Sequence, residues 1–289
     1  MVDSYENLEG MIWVDGELVQ WKDAKFHLLT HALHYGSSVF EGERAYGGKI
    51  FKSREHSSRL IRSGEYVDIN IPFSVDDLEE AKKKVLQANA QKDSYVRALA
   101  WRGSGPDMGV ASSRNPVRVA IASWEWGAYY GDAKFKGAKL NISRWKRPSP
   151  ETIPCFAKAA GLYMICTQSK HEAQQKGCSD SLMMDYRGYV AEATGANVFF
   201  VKNNVVHTPK PDCFLNGITR QTVIQILKNK GIEVVERHIL PNEMEEFEQC
   251  WLTGTAAEVT PVGKVEQYNF EVGALTREVS KEYENLVRS

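Results

Sequence analysis

The run Pro154-Cys-Phe-Ala-Lys158-Ala-Ala-Gly-Leu-Tyr163 sets one lysine among small and apolar residues, whereas most lysines of this chain sit among other charges. An ammonium there is poorly solvated. A lysine amine in such a setting is a candidate nucleophile toward a carbonyl. The plain alternative is a lysine snorkelling out of a helix start. A proline-punctuated stretch (Pro148, Pro150, Pro154) leads into Lys158, and a helix is expected from about Gly161 to just before Gly177.

Outward from that run, helices and strands are mixed on both sides. Toward the N-terminus, Asp15-Gly16 and Gly47-Gly48 each separate two β-rich segments and read as hairpin turns. Helices are expected over His56 to Tyr66 and, after a capping-box-like Ser74, over Asp77 to Asn89. Strands follow at Tyr95 to Trp101 and Val117 to Ala122, around the loop Gly103-Ser-Gly105-Pro-Asp-Met108-Gly-Val110. Toward the C-terminus come strands at Leu140 to Trp145, Leu182 to Met184 and Tyr189-Val190. A hairpin turns at Asn203-Asn204, a helix from Thr219 stops before Gly231, strands fall at Ile232 to Val235 and Cys250 to Leu252, and a final helix covers Leu275 to Val287. Without strict βαβ alternation this order predicts an α+β fold. The small, polar segment 127–137 is the expected joint between a smaller domain, 1–126, and a larger one, 138–289.

The chain's 289 residues correspond to roughly two domains at about 150 residues each. Lysine plus arginine (36) against aspartate plus glutamate (37) leaves a net charge of −1, which excludes a general nucleic-acid binder. No apolar run approaches the roughly 18 residues of a membrane span. The acidic Met1 to Glu6 lacks the basic start and apolar stretch of a signal peptide. Five cysteines with no C-x-x-C pair argue against a disulfide framework and a structural zinc site, so a reducing cytoplasm and no metal are expected.

Four further stretches carry candidate chemistry. Thr30-His-Ala-Leu-His-Tyr35-Gly-Ser-Ser-Val-Phe40-Glu-Gly42-Glu-Arg44 mixes aromatics, glycines and an arginine in what reads as a pocket-lining loop or a packed turn. Gly217-Ile218-Thr219-Arg opens a helix whose exposed amides suit a phosphate, although Thr219 also reads as an ordinary N-cap. Thr253-Gly-Thr255-Ala256-Ala-Glu-Val-Thr-Pro261 reads as a tight turn that permits close approach to an anion. Glu192 lies among small and apolar residues. If buried it needs a cation or a protonated ring nitrogen; if not, it is a solvated strand end.

In order and spacing the blocks H-Y-G-S-S-V-F-E-G (34–42), W-G-A-Y (126–129), A-K-A-A-G (157–161), E-A-T-G-A-N (192–197), G-I-T-R (217–220) and G-T-A-A-E-V-T-P (254–261) resemble the branched-chain amino-acid aminotransferases. These belong to the fold-type IV (class IV) group of pyridoxal-phosphate enzymes, and the resemblance runs from about Ile12 to the C-terminus. It implies the two mixed α/β domains of that group and pyridoxal 5′-phosphate as cofactor. Lys158 resembles the lysine that binds the cofactor covalently and shuttles the substrate proton. Glu192 resembles the partner of the ring nitrogen, and Tyr163 the partner of the cofactor's O3′. Arg59, Ile218, Thr219 and Thr255 resemble the phosphate contacts. Phe40, Gly42, Tyr35, Trp126, Tyr129 and Tyr163 would line the substrate side, and Arg97 would meet the glutamate γ-carboxylate. Tyr95 with the Thr255-Ala256 turn would hold the α-carboxylate. The loop carrying Met108 and Val110 would reach into a partner subunit, which implies a homodimer or an assembly of dimers.

The implied reaction moves an amino group between L-branched-chain amino acids (leucine, isoleucine, valine) and 2-oxoglutarate, by way of glutamate and the 2-oxo acids. Arg97 with the W-G-A-Y block favours it over the D-amino-acid aminotransferase, (R)-amine transaminase and aminodeoxychorismate lyase branches of the same fold. A nicotinamide-dependent oxidoreductase is disfavoured because the glycine loop spells G-x-G-x-x-x-G, one residue off the dinucleotide spacing. A non-catalytic interaction protein would carry no bound chromophore. The chain departs from many relatives at Ala191 and at Glu43, where an apolar residue is common; Glu43 is expected near the pocket rim.

Overall fold

In the first sheet, strand alternation sorts polar from apolar side chains. The computed structural model describes residues 4–126 and 136–289; Tyr129 and most of the expected 127–137 joint lie outside the described residues. The chain divides into two compact units, Met1–Trp126 with Ala157–Gly161, and Gly127–Phe156 with Leu162–Ser289.

The first unit contains β1 (Met11–Val14), β2 (Glu17–Gln20), α1 (His31–Tyr35), β3 (Ser38–Phe40), β4 (Glu43–Tyr46), β5 (Lys49–Ile50), α2 (Ser53–Glu65), α3 (Val75–Ala88), β6 (Ser94–Arg102) and β7 (Val117–Trp124). Its seven strands pair antiparallel in the order β2-β1-β7-β6-β4-β5, with β3 also on β6. Asp15 and Gly16 take positive φ (48° and 112°) at the β1–β2 turn, as a two-residue hairpin demands. The Ser74 capping box forms at the start of α3, and Leu78, Ala81, Val85 and Leu86 are buried. The 30–44 stretch is not the loop expected from its glycines. It folds as α1, β3 and the start of β4, because β3 and β4 take up partners on β6 some 60 residues away.

The second unit contains β8 (Ala138–Ile142), α4 (Tyr163–Gln175), β9 (Asp180–Met184), β10 (Val190–Ala193), β11 (Asn197–Lys202), β12 (Val205–Pro209), α5 (Ile218–Asn229), β13 (Val234–Arg237), β14 (Gln249–Gly254), β15 (Glu258–Val265), β16 (Tyr268–Asn269) and α6 (Ala274–Val287). The sheet runs β10-β9-β8-β15-β14-β11-β12-β13, and β10 also pairs with β11 through Glu192 and Asn197. Six strands therefore close on themselves around a core that includes Leu140, Leu182, Val198, Phe200, Leu252 and Val262. Among the paired strands of the described residues, β8–β9, β8–β15 and β12–β13 are parallel and the rest antiparallel, so the mixture is α+β as expected. The Thr253–Pro261 stretch forms the end of β14, a short turn and half of β15, rather than a turn alone. Among the described residues no helix is long and apolar enough to cross a membrane.

Candidate active site

In the first unit, register alone gathers one group of side chains. Phe40 lies opposite Leu99, and Arg44 opposite Tyr95, so Phe40, Tyr95 and Arg97 share a sheet face with Trp124. The Arg97 guanidinium lies 4.6 Å from the Phe40 ring centre and donates from Nη2 to Tyr95 Oη at 3.1 Å. Trp126 packs edge-on against Tyr95 with ring centres 4.4 Å apart. Lys158 sits in irregular backbone five residues before α4, not in a helix start. Its carbonyl accepts from Phe40 N–H (3.0 Å), its own N–H donates to Ser63 Oγ (3.0 Å), and its Nζ lies 5.0 Å from the Phe40 ring centre. One aromatic ring is thus shared by an amine and a guanidinium.

The opposite face of the same sheet carries acids. Glu41 accepts from Arg59 Nε (2.6 Å) and Nη2 (2.8 Å), and His56 Nδ1 lies 2.6 Å from it. Burial pushes the Glu41 carboxyl up, but the Arg59 and His56 charges overcome that and hold it well below the ordinary range. Glu43 is not at a pocket rim. It is fully buried, and Lys82 Nζ donates to it at 2.7 Å. Its odd position in the alternation turns it, with Glu41, toward the helices, and burial pushes its carboxyl up despite the Lys82 charge.

In the second unit, Glu192 is buried and Arg147 Nε lies 3.2 Å from its Oε1. Burial alone would lower the Arg147 guanidinium, but the Glu192 charge raises it above its ordinary value. Asn197 donates from Nδ2 to Glu192 Oε2 (3.1 Å) and to the Leu215 carbonyl (3.0 Å), while its Oδ1 accepts from Gly217 N–H (3.1 Å). One amide therefore fixes both the carboxylate and the start of α5. A Cβ on Gly217 would stand 2.3 Å from Asn197 Oδ1, so only glycine allows this approach. Gly217, not Thr219, is the N-cap; Ile218 and Thr219 supply first-turn amides that have no partner within the helix. Asn197 also lies opposite Thr253, which leads into Thr255 and Ala256 at the β14–β15 turn. Tyr163 is the first residue of α4.

A family model described as amino-transferase class IV matches residues 38–265. The probable branched-chain-amino-acid aminotransferase of Rickettsia bellii is 40% identical over 292 residues, covering all of both chains. The chain belongs to the class IV aminotransferases, among the branched-chain-amino-acid aminotransferases. The crystal structure of the Escherichia coli branched-chain amino acid aminotransferase superposes with a TM-score of 0.93 at 36% identity, over 97% of this chain and 95% of that one. That of the T.th. branched-chain amino acid aminotransferase complexed with N-(5′-phosphopyridoxyl)-L-glutamate gives 0.92 at 37% identity, over the same shares. Class IV aminotransferases work through pyridoxal 5′-phosphate, and this chain is a pyridoxal-phosphate-dependent transaminase.

Within the aminotransferase, Tyr35 does not join the Phe40–Tyr95–Arg97 contacts. Its hydroxyl donates to the Met108 carbonyl at 3.0 Å, and His31, stacked on Tyr35 at 4.5 Å, reaches the Gly109 carbonyl through Nε2 at 3.0 Å. Sequence reasoning passed over Arg147, Asn197, Glu41 and His56. Asp185, Asp212 and Cys213 bring ligand atoms within 4.8 Å of one another. Arg187 already bridges the two carboxylates at 2.6 and 2.8 Å, and burial pushes the Cys213 thiol up to about 12.

Proposed function

We propose that this transaminase exchanges amino groups between L-leucine, L-isoleucine or L-valine and 2-oxoglutarate, with Lys158 as its catalytic residue. The observation that carries the reading is Arg97. Its Nε is buried with no hydrogen-bond partner among the described residues, and no carboxylate there pairs with it. Beside it stand the Phe40 and Tyr95 rings. An aliphatic side chain packs on those rings, and a γ-carboxylate meets the guanidinium.

Each unit carries donors that suit pyridoxal 5′-phosphate: the Lys158 amine and the Arg59 guanidinium in the first, and the Glu192 carboxylate fixed by Asn197 with the α5-start N–H groups in the second. When bound, that cofactor supplies an electron sink for the electrons left at the substrate Cα. Lys158 Nζ takes the proton from the amino-acid Cα in one half-reaction and supplies a proton to the corresponding carbon of the 2-oxo acid in the other. Glu192, held by Arg147 and Asn197, keeps the ring nitrogen protonated, and Tyr163 holds O3′. Ile218 and Thr219 at the α5 start, with Thr255 and Arg59, take the phosphate dianion. Tyr95 with Thr255 and Ala256 holds the α-carboxylate, while Phe40, Gly42, Trp126 and Tyr129 line the side-chain pocket. Tyr35, Met108 and Val110 serve the site of a partner in a homodimer. The five cysteines, all free thiols, support a reducing cytoplasm.

Single-turnover kinetics of the two half-reactions test this. Arg97→Leu should slow the glutamate half-reaction by about one to two orders of magnitude, the worth of a charge-assisted pair, and leave leucine little changed. Equal losses would make Arg97 structural. Faster reaction of D-amino acids with the unaltered enzyme would move the chain to another branch of the fold.

A further inference from the structure

A phosphate-binding arginine gains nothing obvious from a carboxylate held against it, yet Arg59 has one. Glu41 has no exposed surface, and Arg59 is only 11% exposed. The pair is side-on: Nε to one oxygen, Nη2 to the other, at 2.6 and 2.8 Å. That geometry engages two of the five guanidinium N–H bonds and fixes the plane in which the others lie. His56 Nδ1 stands 2.6 Å from Glu41 Oε2, and a carboxylate only accepts, so Nδ1 carries the proton. His56, Arg59 and Ser63 follow one another at i, i+3 and i+7 on α2, and Ser63 Oγ holds the backbone of Lys158. One helix stripe therefore orients both the arginine and the lysine, and Glu41 anchors it to the sheet.

We propose that Glu41, seconded by His56, is a positioning residue that fixes the Arg59 fork for the cofactor phosphate without touching the ligand. This rests on Arg59 being a phosphate ligand. The competing view is purely electrostatic: an anion beside Arg59 repels a dianion, so removing its charge tightens binding. The two views predict opposite signs.

The test is titration of the full chain, stripped of cofactor, with pyridoxal 5′-phosphate and with phosphate-free pyridoxal, read by absorbance and tryptophan quenching. Glu41→Gln should weaken pyridoxal phosphate by about ten- to a hundredfold, as expected for the loss of one charge-assisted bond, and leave pyridoxal within about twofold. Glu41→Asp, which keeps the charge but retracts it, should act in the same direction and carries the test if Glu41→Gln does not fold. Arg59→Lys should also lower the phosphate preference. Tighter pyridoxal phosphate binding in Glu41→Gln, or equal loss for both ligands, overturns the proposal while leaving Arg59 in place. An unchanged preference in Arg59→Lys overturns the Arg59 reading and the proposal with it.

Discussion

At the residue scale, a missing methyl group decides how the proposed substrate wall is built. A Cβ on Gly42 would stand 2.0 Å from Tyr95 Oη and 2.9 Å from its Cζ, so the ring occupies the space a side chain would need. Tyr95 in turn accepts the Arg97 Nη2 bond and packs on Trp126. Gly42→Ala should push the Tyr95 ring aside and take Arg97 with it. Turnover of leucine and of glutamate should then fall together, by about a hundredfold for a displacement near 1 Å. The contrast with Arg97→Leu is the diagnostic, because that change separates the two substrates. Unaltered kcat/KM for both substrates in Gly42→Ala would remove Tyr95 from the wall.

At the element scale, two glutamates two residues apart, with β4 beginning at the second, have opposite pH signs. The Glu41 carboxyl lies below its ordinary 4.5, so its stabilisation is complete above that value and is lost as pH falls toward the folded pKa. Glu43 lies above 4.5, so its contribution declines as pH rises through its folded value. At neutral pH the Glu43–Lys82 pair is therefore a poor source of stability, while either charge alone is costly. Lys82→Met should destabilise the chain by about 3–5 kcal/mol, whereas Glu43→Leu with Lys82→Met should be neutral or stabilising by about 1–4 kcal/mol. Urea midpoints at pH 7 with unchanged m-values check both, and a double variant as weak as the single one would show that the pair stabilises the α3 docking. This pair also marks where sequence reading stops. The Asp15-Gly16 and Asn203-Asn204 turns were legible because the positive φ they need is a local demand. Glu43 was not, because buried carboxylates are rare and its partner sits 39 residues away in Lys82-Lys83-Lys84, which reads as a solvated helix face. Lys158 and Glu192 stood out from their apolar neighbours. Arg147 did not, since nothing local distinguishes it from Arg144 or Lys146.

At the scale of the whole molecule, several large apolar side chains of the first unit are exposed. Leu28, Leu33 and Val110 are 74%, 68% and 84% exposed, and Tyr35 is half exposed while tied to the Met108 carbonyl. Large apolar side chains left this exposed suit a protein interface, and in a two-fold dimer the same surface serves both chains. If the Met108–Val110 loop completes the partner's site, damage to the loop and damage to Lys158 act on different sites of one dimer. Val110→Asp should leave Lys158 intact but spoil the neighbouring site, and Lys158→Ala should abolish its own site while its loop stays whole. Each variant alone should then be nearly inactive. Mixed in equal amounts and allowed to exchange subunits, about half of the dimers pair one chain of each kind. Every such dimer has one complete site, with Lys158 from one chain and the loop from the other, so activity should recover to about a quarter of the unaltered enzyme. A loop that served its own chain would leave every site broken, and mixing would restore nothing. Leu33→Glu gives the independent control: sedimentation should show monomers, and neither activity nor recovery on mixing should survive the loss of the interface.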